Sequence, residues 1–571
     1  MKNMKNMKKM LGFLFIMGAL SSCDLERQYI TFNTKEKVDK EYELFHNMGI
    51  GLYGNLPTPL DGQIYFDSPA SDESNDVWIG ASQSVNNGSW NEYSWDGQEF
   101  QSLYNSIGRI NDFLNPIAEI DLDAWKLSPL ESDQLKYTTY KYEIANLKRE
   151  ARFLRAFFYF ELVKRYGGVP LIKEPLTTST DFSGIKRNTL NECFQFIVDE
   201  LDSTTQDEVN CLPLAYDEIN SGRATKGAAL ALKSRVTLYM ASDLYNSLDQ
   251  WAPGYEHPEL VSLIGKDRKT LWKNAADAAK KVIDLGVYTP ASDYNIIGKS
   301  FTNSELIFVR RMMGQSNNFE WENCPRGYLT ARGRLNPSQN LVDAYEMKNG
   351  SKFNWATNGE DPYSNRDPRL DMTVYHNESV FQNTQLDISV GGANGAGPTL
   401  DHTTGTGYYI KKFIDSGLDL SQNKSSYHTW CFFRISEIYL NYAEALNEYD
   451  PGNPDILTYV NKTRQRTGVN MPTIKETDQV AARERIRTER QIELAFEGHR
   501  FWDLRRWMTA VDVLNKPLRG VNISYEDYTY QYTLVETEPR IFLPKMYFHP
   551  FPKSLLVTEG VDWPQNPLWE K

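Results

Sequence analysis

The stretch RAFFYFELVKRYGGVPL, Arg155 to Leu171, decides the class of fold. Together with the residues before it, Leu147, Ala151, Leu154, Phe158 and Leu162 recur at spacings of three and four, which sets them along one face of an α-helix. Gly167-Gly168-Val169-Pro170 then stops that helix, because glycine accepts a left-handed cap and proline cannot continue the hydrogen-bond ladder. The same period returns further along. Ala228, Ala231, Leu232, Arg235, Leu238 and Tyr239 mark a second helix whose small residues let a partner backbone approach closely. Trp272 to Leu285 carries Ala276, Ala279 and Ile283 on one stripe and ends at Gly286. Phe433 to Glu448 carries Ile435, Ile438, Tyr439, Tyr442 and Leu446 and is broken at Pro451-Gly452, and Asp455 to Thr467 and Val480 to Glu497 supply two more. Amphipathic helices joined by short turns predict a mainly α, tetratricopeptide-like scaffold of helical pairs, although no strict repeat length is detectable. Pro290 to Tyr427 differs, being rich in Gly, Asn, Asp and Tyr with few helical runs. It is predicted to be an irregular, loop-rich subdomain (290–427) inserted into a scaffold formed by about 24–289 and 428–571. Loops of that length usually carry function.

The chain of 571 residues is 40% hydrophobic and 24% charged, which excludes a disordered, collagenous or disulfide-scaffold protein. Its formal net charge of −13 becomes more negative still if the leader with Lys2, Lys5, Lys8 and Lys9 is removed. Such a field repels phosphate backbones, so no nucleic-acid partner is expected. Met1 to Met10 is Lys-rich without acids, and Met10 to Leu20 is apolar. A run that short rises only about 16 Å as a helix, roughly half the hydrocarbon core, so residues 1–22 read as a secretory leader rather than a span. Leu20-Ser21-Ser22-Cys23 resembles a bacterial lipobox, in which Cys23 becomes the acylated first residue of the mature chain, 23–571; an ordinary signal peptide ending near a cysteine is the alternative. Two or more acyl chains, at about 0.8 kcal/mol per buried CH₂, anchor a protein to a membrane without a spanning helix. Cys193, Cys211, Cys324 and Cys431 form no C-x-x-C pair, which leaves zinc and dithiol chemistry without support and a Cys193–Cys211 bridge open.

Glu493 and Glu497 lie one helical turn apart, a spacing that glycosidase carboxylates can use. Arg490, Arg500, Arg505 and Arg506 crowd the same segment, and such a cluster more often forms a structural ion network; His499 among them reads as a packed histidine. No G-x-S-x-G, H-E-x-x-H or Walker motif is present, so a binder is expected rather than an enzyme. Asp72, Glu73 and Asp76 are candidate calcium ligands without the spacing of an EF-hand loop, and no other cofactor is called for.

The 13 Trp, 33 Tyr and 27 Phe are the sharper signal in so polar a chain. A carbohydrate binder needs flat apolar rings for the C–H faces of sugars beside planar polar groups for the hydroxyls. Two loop regions supply both: Asp72 to Asp96, with Trp78, Trp90, Asn91 and Trp95, and Asn318 to Arg334, with Trp321, Asn323, Arg326, Tyr328 and Arg332. Trp502 and Trp507 are assigned to the core.

RAFFYFELVKRYGGVPL, FFRISEIYLNYAEALNE (Phe432 to Glu448) and above all EGHRFWDLRRW (Glu497 to Trp507) resemble blocks of the RagB/SusD family, surface glycan-binding lipoproteins of Bacteroidetes. NPSQNLVDAYE (Asn336 to Glu346), DPRL (Asp367 to Leu370) and PQNPLW (Pro564 to Trp569) are similar to further blocks in the same order. The resemblance implies a SusD-like fold, a tetratricopeptide-like scaffold with an irregular insertion. It also implies a lipoprotein of the outer-membrane surface that captures oligosaccharides or polysaccharides and passes them to a SusC-like TonB-dependent transporter. Asp24 and Glu26 look like the surface-export signal of such lipoproteins. Family glycan sites lie on loops near the two regions above, and on that ground Tyr294 joins the candidates. The alternatives are a tetratricopeptide-like adaptor for a protein or peptide partner and, more remotely, a glycoside hydrolase.

Overall fold

The computed structural model describes residues 34–569, apart from 79, 81, 94–97, 178, 207–209, 313–317, 329–330, 396–403, 423 and 425. The leader, Cys23 and Trp95 lie outside the described residues. The chain divides into two compact units, one formed by residues up to 51 with 112–148, the other by 52–111 with 149–571.

In the smaller unit, α1 (Lys35–Lys40) is opened by Thr34, whose side chain accepts from the Lys37 N–H, and α2 (Tyr42–Gly51) follows directly. The buried Asp39 carboxylate takes the Lys35 ammonium at 3.0 Å and the Ile117 N–H at 2.8 Å, while Phe45 stacks on Phe113 at 4.4 Å. Helices α3 (Gln98–Leu114) and α4 (Glu131–Tyr166) contribute residues to both units.

In the larger unit α4 stops at Tyr166, where the sequence predicts its end. Gly167 takes φ +71°, and a Cβ there would stand 2.5 Å from the Leu260 carbonyl oxygen, so only glycine fits. Then come α5 (Leu190–Asp202), entered through a Thr189/Glu192 capping box, α6 (Lys226–Ala241), α7 (Arg268–Ile283), α8 (Asn318–Asn323), α9 (Ile435–Tyr449), α10 (Pro454–Arg464), α11 (Gln479–Glu493) and α12 (Arg500–Arg506). α6 packs on α5 and α7, α7 on α9, and α9 on α10 and α11, which is the stacking expected of a tetratricopeptide-like scaffold. Ala228, Ala229 and Ala231 of α6 are wholly buried, as close helix approach requires.

The strands are short: β1 (Ser74–Asp76), β2 (Leu306–Met312), β3 (Leu335–Pro337), β4 (His428–Arg434), β5 (Leu518–Glu526) and β6 (Thr529–Glu538). They pair antiparallel as β1 with β3, β2 with β4 and β5 with β6. The β2–β4 pair, running from Leu306 opposite Arg434 to Met312 opposite His428, brings together the two ends of the loop-rich stretch between them. It also corrects the sequence expectation of a helix from Phe433: the ladder holds Phe433 and Arg434, and α9 starts at Ile435.

The scaffold interior is ionic as well as apolar. Arg369 meets Asp367 at 2.8 Å, Glu489 at 2.6 Å and Glu493 at 2.9 Å; Arg434 meets Glu305 at 2.5 Å, Glu493 at 2.7 Å and Glu497 at 2.8 Å; Arg466 meets Glu305 and Glu493. Burial alone would raise the Glu493 pKa, but the guanidiniums of Arg466, Arg434 and Arg369 outweigh it and hold the carboxyl at about 2. Glu497 is locked likewise by Arg434 and by Lys412 at 2.6 Å. This pair of carboxylates is therefore an ion network rather than an acid and a base open to substrate. His499 is buried, accepts a hydrogen bond from Arg490 at 3.2 Å and is kept neutral by burial and the surrounding cations. Trp502 and Trp507 are core residues, 4% and 5% exposed. Cys193 and Cys211 are not bridged; the Cys193 thiol donates to the Val169 carbonyl at 3.3 Å. Among the described residues, no helix is long and apolar enough to cross a membrane.

Candidate functional site

The two loop regions that the sequence singles out meet through β1 and β3. Asn75 stands opposite Asn336 and Asp76 opposite Leu335, and the ladder continues with the Val77 N–H donating to the Arg334 carbonyl at 3.1 Å. Trp78, just past β1, is thereby set beside the residues that lead into β3. α8 supplies the third side. Its C-terminal end is tied to the same segment by the Arg332 N–H on the Trp321 carbonyl (3.0 Å), the Gly333 N–H on Cys324 (3.1 Å) and the Arg334 N–H on Glu322 (2.8 Å).

The side chains form a ladder of alternating rings and guanidiniums. Arg334 lies over the Tyr65 ring at 3.8 Å and the Trp78 ring at 4.7 Å, and Arg332 lies over Trp78 at 4.8 Å and Trp321 at 3.7 Å. Their edges bind carboxylates: Arg334 meets Asp76 at 3.0 Å, and Glu322 lies 3.4 Å from Arg332 and 3.6 Å from Arg334. Asp76 also accepts from the Trp78 N–H at 3.0 Å, which fixes the turn that presents the indole. Burial raises the Glu322 pKa above its ordinary value, and Arg334 and Arg332 offset only part of that. Tyr65 closes the inner end of the ladder at 8% exposure, whereas Trp78, Trp321, Arg332 and Arg334 are half-buried. The result is a rigid, partly open shelf with flat apolar faces, guanidinium donors and carboxylate acceptors side by side, the chemistry that a saccharide requires.

Of the sequence candidates, Trp78, Trp321 and Arg332 are brought together here. Arg326 lies next to Gly333, where an added Cβ would touch its side chain at 3.1 Å, whereas Tyr328 packs on Phe381, ring centres 4.6 Å apart, and its hydroxyl donates to the Phe381 carbonyl at 3.2 Å. Asn91 sits in a turn, its amide donating to Ser89 and accepting from the Tyr93 N–H. Three candidates are corrected. Trp90 is 1% exposed, packed edge-on against His549 at 4.9 Å and Trp569 at 5.3 Å. Asn323 is fully buried and braces the site from below, donating to the Tyr65 hydroxyl (2.7 Å) and accepting from the Leu335 N–H (3.1 Å). Tyr294 is 2% exposed, donating to the Glu493 carbonyl at 2.9 Å and accepting from Lys412 at 2.7 Å. The calcium set is corrected too: Asp72 pairs with Arg500 at 2.7 Å, Glu73 accepts from the Phe496 N–H and Asp76 belongs to Arg334, so the three do not converge. Among the described residues no cluster of His, Cys, Asp and Glu could hold a metal ion. Sequence reasoning passed over Arg334, Glu322 and Tyr65. The signal was present for Arg334, since residues two apart in an extended segment share a face and Arg332 was already a candidate.

The arrangement is a tetratricopeptide-like helical scaffold that carries an aromatic and guanidinium shelf on its loops. The comparisons with known proteins narrow this. Residues 304–569 match the SusD family, and residues 26–238 match the family described as starch-binding associating with outer membrane. SusD-like protein P25 of Formosa agariphila is 25% identical over 389 residues, 65% of this chain and 65% of that protein, so the match spans just under two thirds of the relative's length. A SusD-like protein from Bacteroides fragilis is 27% identical in its crystal structure, covering 93% of this chain and 97% of that one with a TM-score of 0.71. A laminarin-binding SusD-like protein shares the fold at 20% identity and a TM-score of 0.62, over 92% of this chain and 99% of that one. The chain belongs to the SusD/RagB family, one of whose two matching models carries the description of starch binding in association with the outer membrane.

Proposed function

We propose that the protein captures oligosaccharides or polysaccharides, without catalysis, on the shelf formed by Trp321, Arg332 and Trp78. Tethered at the outer-membrane surface through acylated Cys23, it passes them to a SusC-like TonB-dependent transporter. In this reading the segment 290–427 is an insertion that brings the Trp321 half of the shelf to the scaffold. The observation that carries the proposal is the ring–guanidinium ladder, half-buried at Trp321 and braced at Tyr65. The laminarin-binding relative supports a β-glucan as the first ligand to try.

Isothermal calorimetry against a glycan panel tests it. A ligand found for the native chain should bind about tenfold to a hundredfold more weakly to Trp321→Ala, since a partly exposed aromatic anchor carries a large share of such a contact. Undiminished binding by the double variant Trp78→Ala/Trp321→Ala would refute the shelf. Co-purification of a transporter by a chain that binds no glycan would favour the adaptor alternative.

A further inference from the structure

A second cleft lies away from the shelf, among the scaffold helices. It encloses about 680 Å³ between the start of α7, the C-terminal end of α9, α11 and Trp507, a size that takes a small ligand. Most charges on its walls are matched. Arg483 grips Glu448 through two hydrogen bonds of 2.6 and 2.7 Å, Arg268 pairs with Asp243, and Glu444 is held by Arg506 and by the Trp507 indole at 2.8 Å.

Arg487 is not matched. Its guanidinium stacks over the Trp507 ring at 4.8 Å, has no ion pair among the described residues, and its Nε is buried without a hydrogen-bond partner. Desolvation lowers its pKa from the ordinary arginine value, and the nearby Arg506 adds to that, while Glu444, Asp243 and Glu484 oppose it. By contrast Arg369, Arg434, Arg466, Arg490 and Arg506 all sit against carboxylates. Lys269, exposed and 5.7 Å from the Tyr449 ring centre, is a second cation with no ion pair among the described residues, against one such carboxylate at Glu484. Tyr449, half-buried, supplies ring surface to the cleft, and Trp272, 7% exposed, lies beneath its lining. A half-buried guanidinium with open donor positions beside aromatic rings is complementary to a flat ring that carries a planar or tetrahedral oxyanion.

We propose that this cleft is a second saccharide site, selective for a sugar bearing an oxyanion, a carboxylate or a sulfate ester, with Arg487 as the group that holds the anion. It uses none of the residues of the Trp321 shelf and stands or falls without it.

Calorimetry on the whole mature chain decides the matter, with tetragalacturonate, a sulfated tetrasaccharide, their uncharged counterparts, inorganic sulfate and a tetraglutamate peptide as probes. At least one acidic saccharide should bind about tenfold more tightly than its neutral counterpart. Arg487→Gln should abolish that preference, and Trp321→Ala should leave it intact. Lys269→Ala, at an exposed position, should reduce it about twofold to fivefold, and so keeps the test open if Arg487→Gln melts early. The proposal fails if neither acidic saccharide is preferred, if the preference survives both substitutions, or if sulfate or tetraglutamate binds as tightly as the acidic sugars.

Discussion

Two clusters built from the same residue types do opposite things in this molecule. Around Glu493 the guanidiniums of Arg369, Arg434 and Arg466 turn their edges to carboxylates, everything is buried, and the acid is held at about 2. Around Trp321 the edge of Arg334 grips Asp76 at 3.0 Å while that of Arg332 reaches Glu322 only at 3.4 Å, the faces of both lie over indoles in a half-buried setting, and the Glu322 pKa goes up instead of down. Arginine density therefore does not locate the site. What separates scaffold from shelf is the depth of burial and whether the planar faces are given to indoles.

The sharpest way to break that distinction is to remove one guanidinium from each cluster. Arg434→Met leaves Glu305, Glu493 and Glu497 in the interior with fewer cations and should destabilise the protein by about 3 to 5 kcal/mol, because a buried charge stripped of its partner keeps its desolvation cost. Arg332→Met should cost about 1 kcal/mol or less, as for an exposed pair. Urea unfolding measures both, and equal losses would erase the difference. The tryptophans give a matching pair. Trp502, stacked under Lys164 at 4.6 Å and Arg165 at 4.9 Å, should cost about 3 to 5 kcal/mol when cut to alanine. Trp321→Ala should leave the melting curve nearly unchanged while removing sugar affinity. The reverse result would mean that scaffold and shelf have been interchanged.

The same contrast explains what could be read before the fold was known. Helices were legible because their signal is local. The period through Leu154, Phe158 and Leu162 and the stop at Gly167 depend on neighbours in the chain, and α4 ends where they say. The start of α9 was missed by two residues because β4 is held by a strand more than a hundred positions away, which no local period reports. At the candidate shelf, the sequence offered Trp78, Trp321 and Arg332 as rings and a planar cation stranded in irregular segments, and the fold brings the three together. Trp90 carries the same local signal and Tyr294 was a candidate only through the family resemblance, and their burial is decided by His549 and Trp569 in one case and by Glu493 and Lys412 in the other. Exposure of a loop aromatic is thus a long-range property, whereas helical periodicity is not.

Burial without a counter-ion offers a subtler test. Glu73 immediately precedes β1, is 2% exposed and accepts from the Phe496 N–H at 3.1 Å, and burial pushes its pKa up to about 8. Between about pH 4.5 and 8 the unfolded chain has therefore lost a proton that the folded chain keeps, so this group makes stability fall as pH rises through that window and then level off. Glu493, with its pKa depressed, works the other way: its contribution is present above the unfolded pKa and is lost as pH falls toward 2. Glu73→Gln should accordingly melt close to the native protein near pH 5, gain a few degrees on it by pH 8 and gain no more above that. A gain that shrinks as pH rises would show that Glu73 is charged in the fold.

The smallest expected effect bears on the ladder itself. Arg332→Lys keeps the positive charge near Glu322 but replaces a flat guanidinium, 3.7 Å from the Trp321 ring and 4.8 Å from that of Trp78, with a compact ammonium that cannot lie parallel to both. If the arginine acts only as a counter-ion, the lysine should serve equally, and glycan affinity should not move. If it acts as the spacer that holds two indoles at a fixed separation, stability should change by less than about 1 kcal/mol while affinity falls about threefold to tenfold. The outcomes part further with salt. A lost counter-ion is felt most at low ionic strength, whereas a lost spacer costs the same at 0.05 and at about 0.5 M sodium chloride, because stacking geometry is not screened. An affinity deficit that disappears at high salt would make the ladder an electrostatic accident rather than the frame of the shelf.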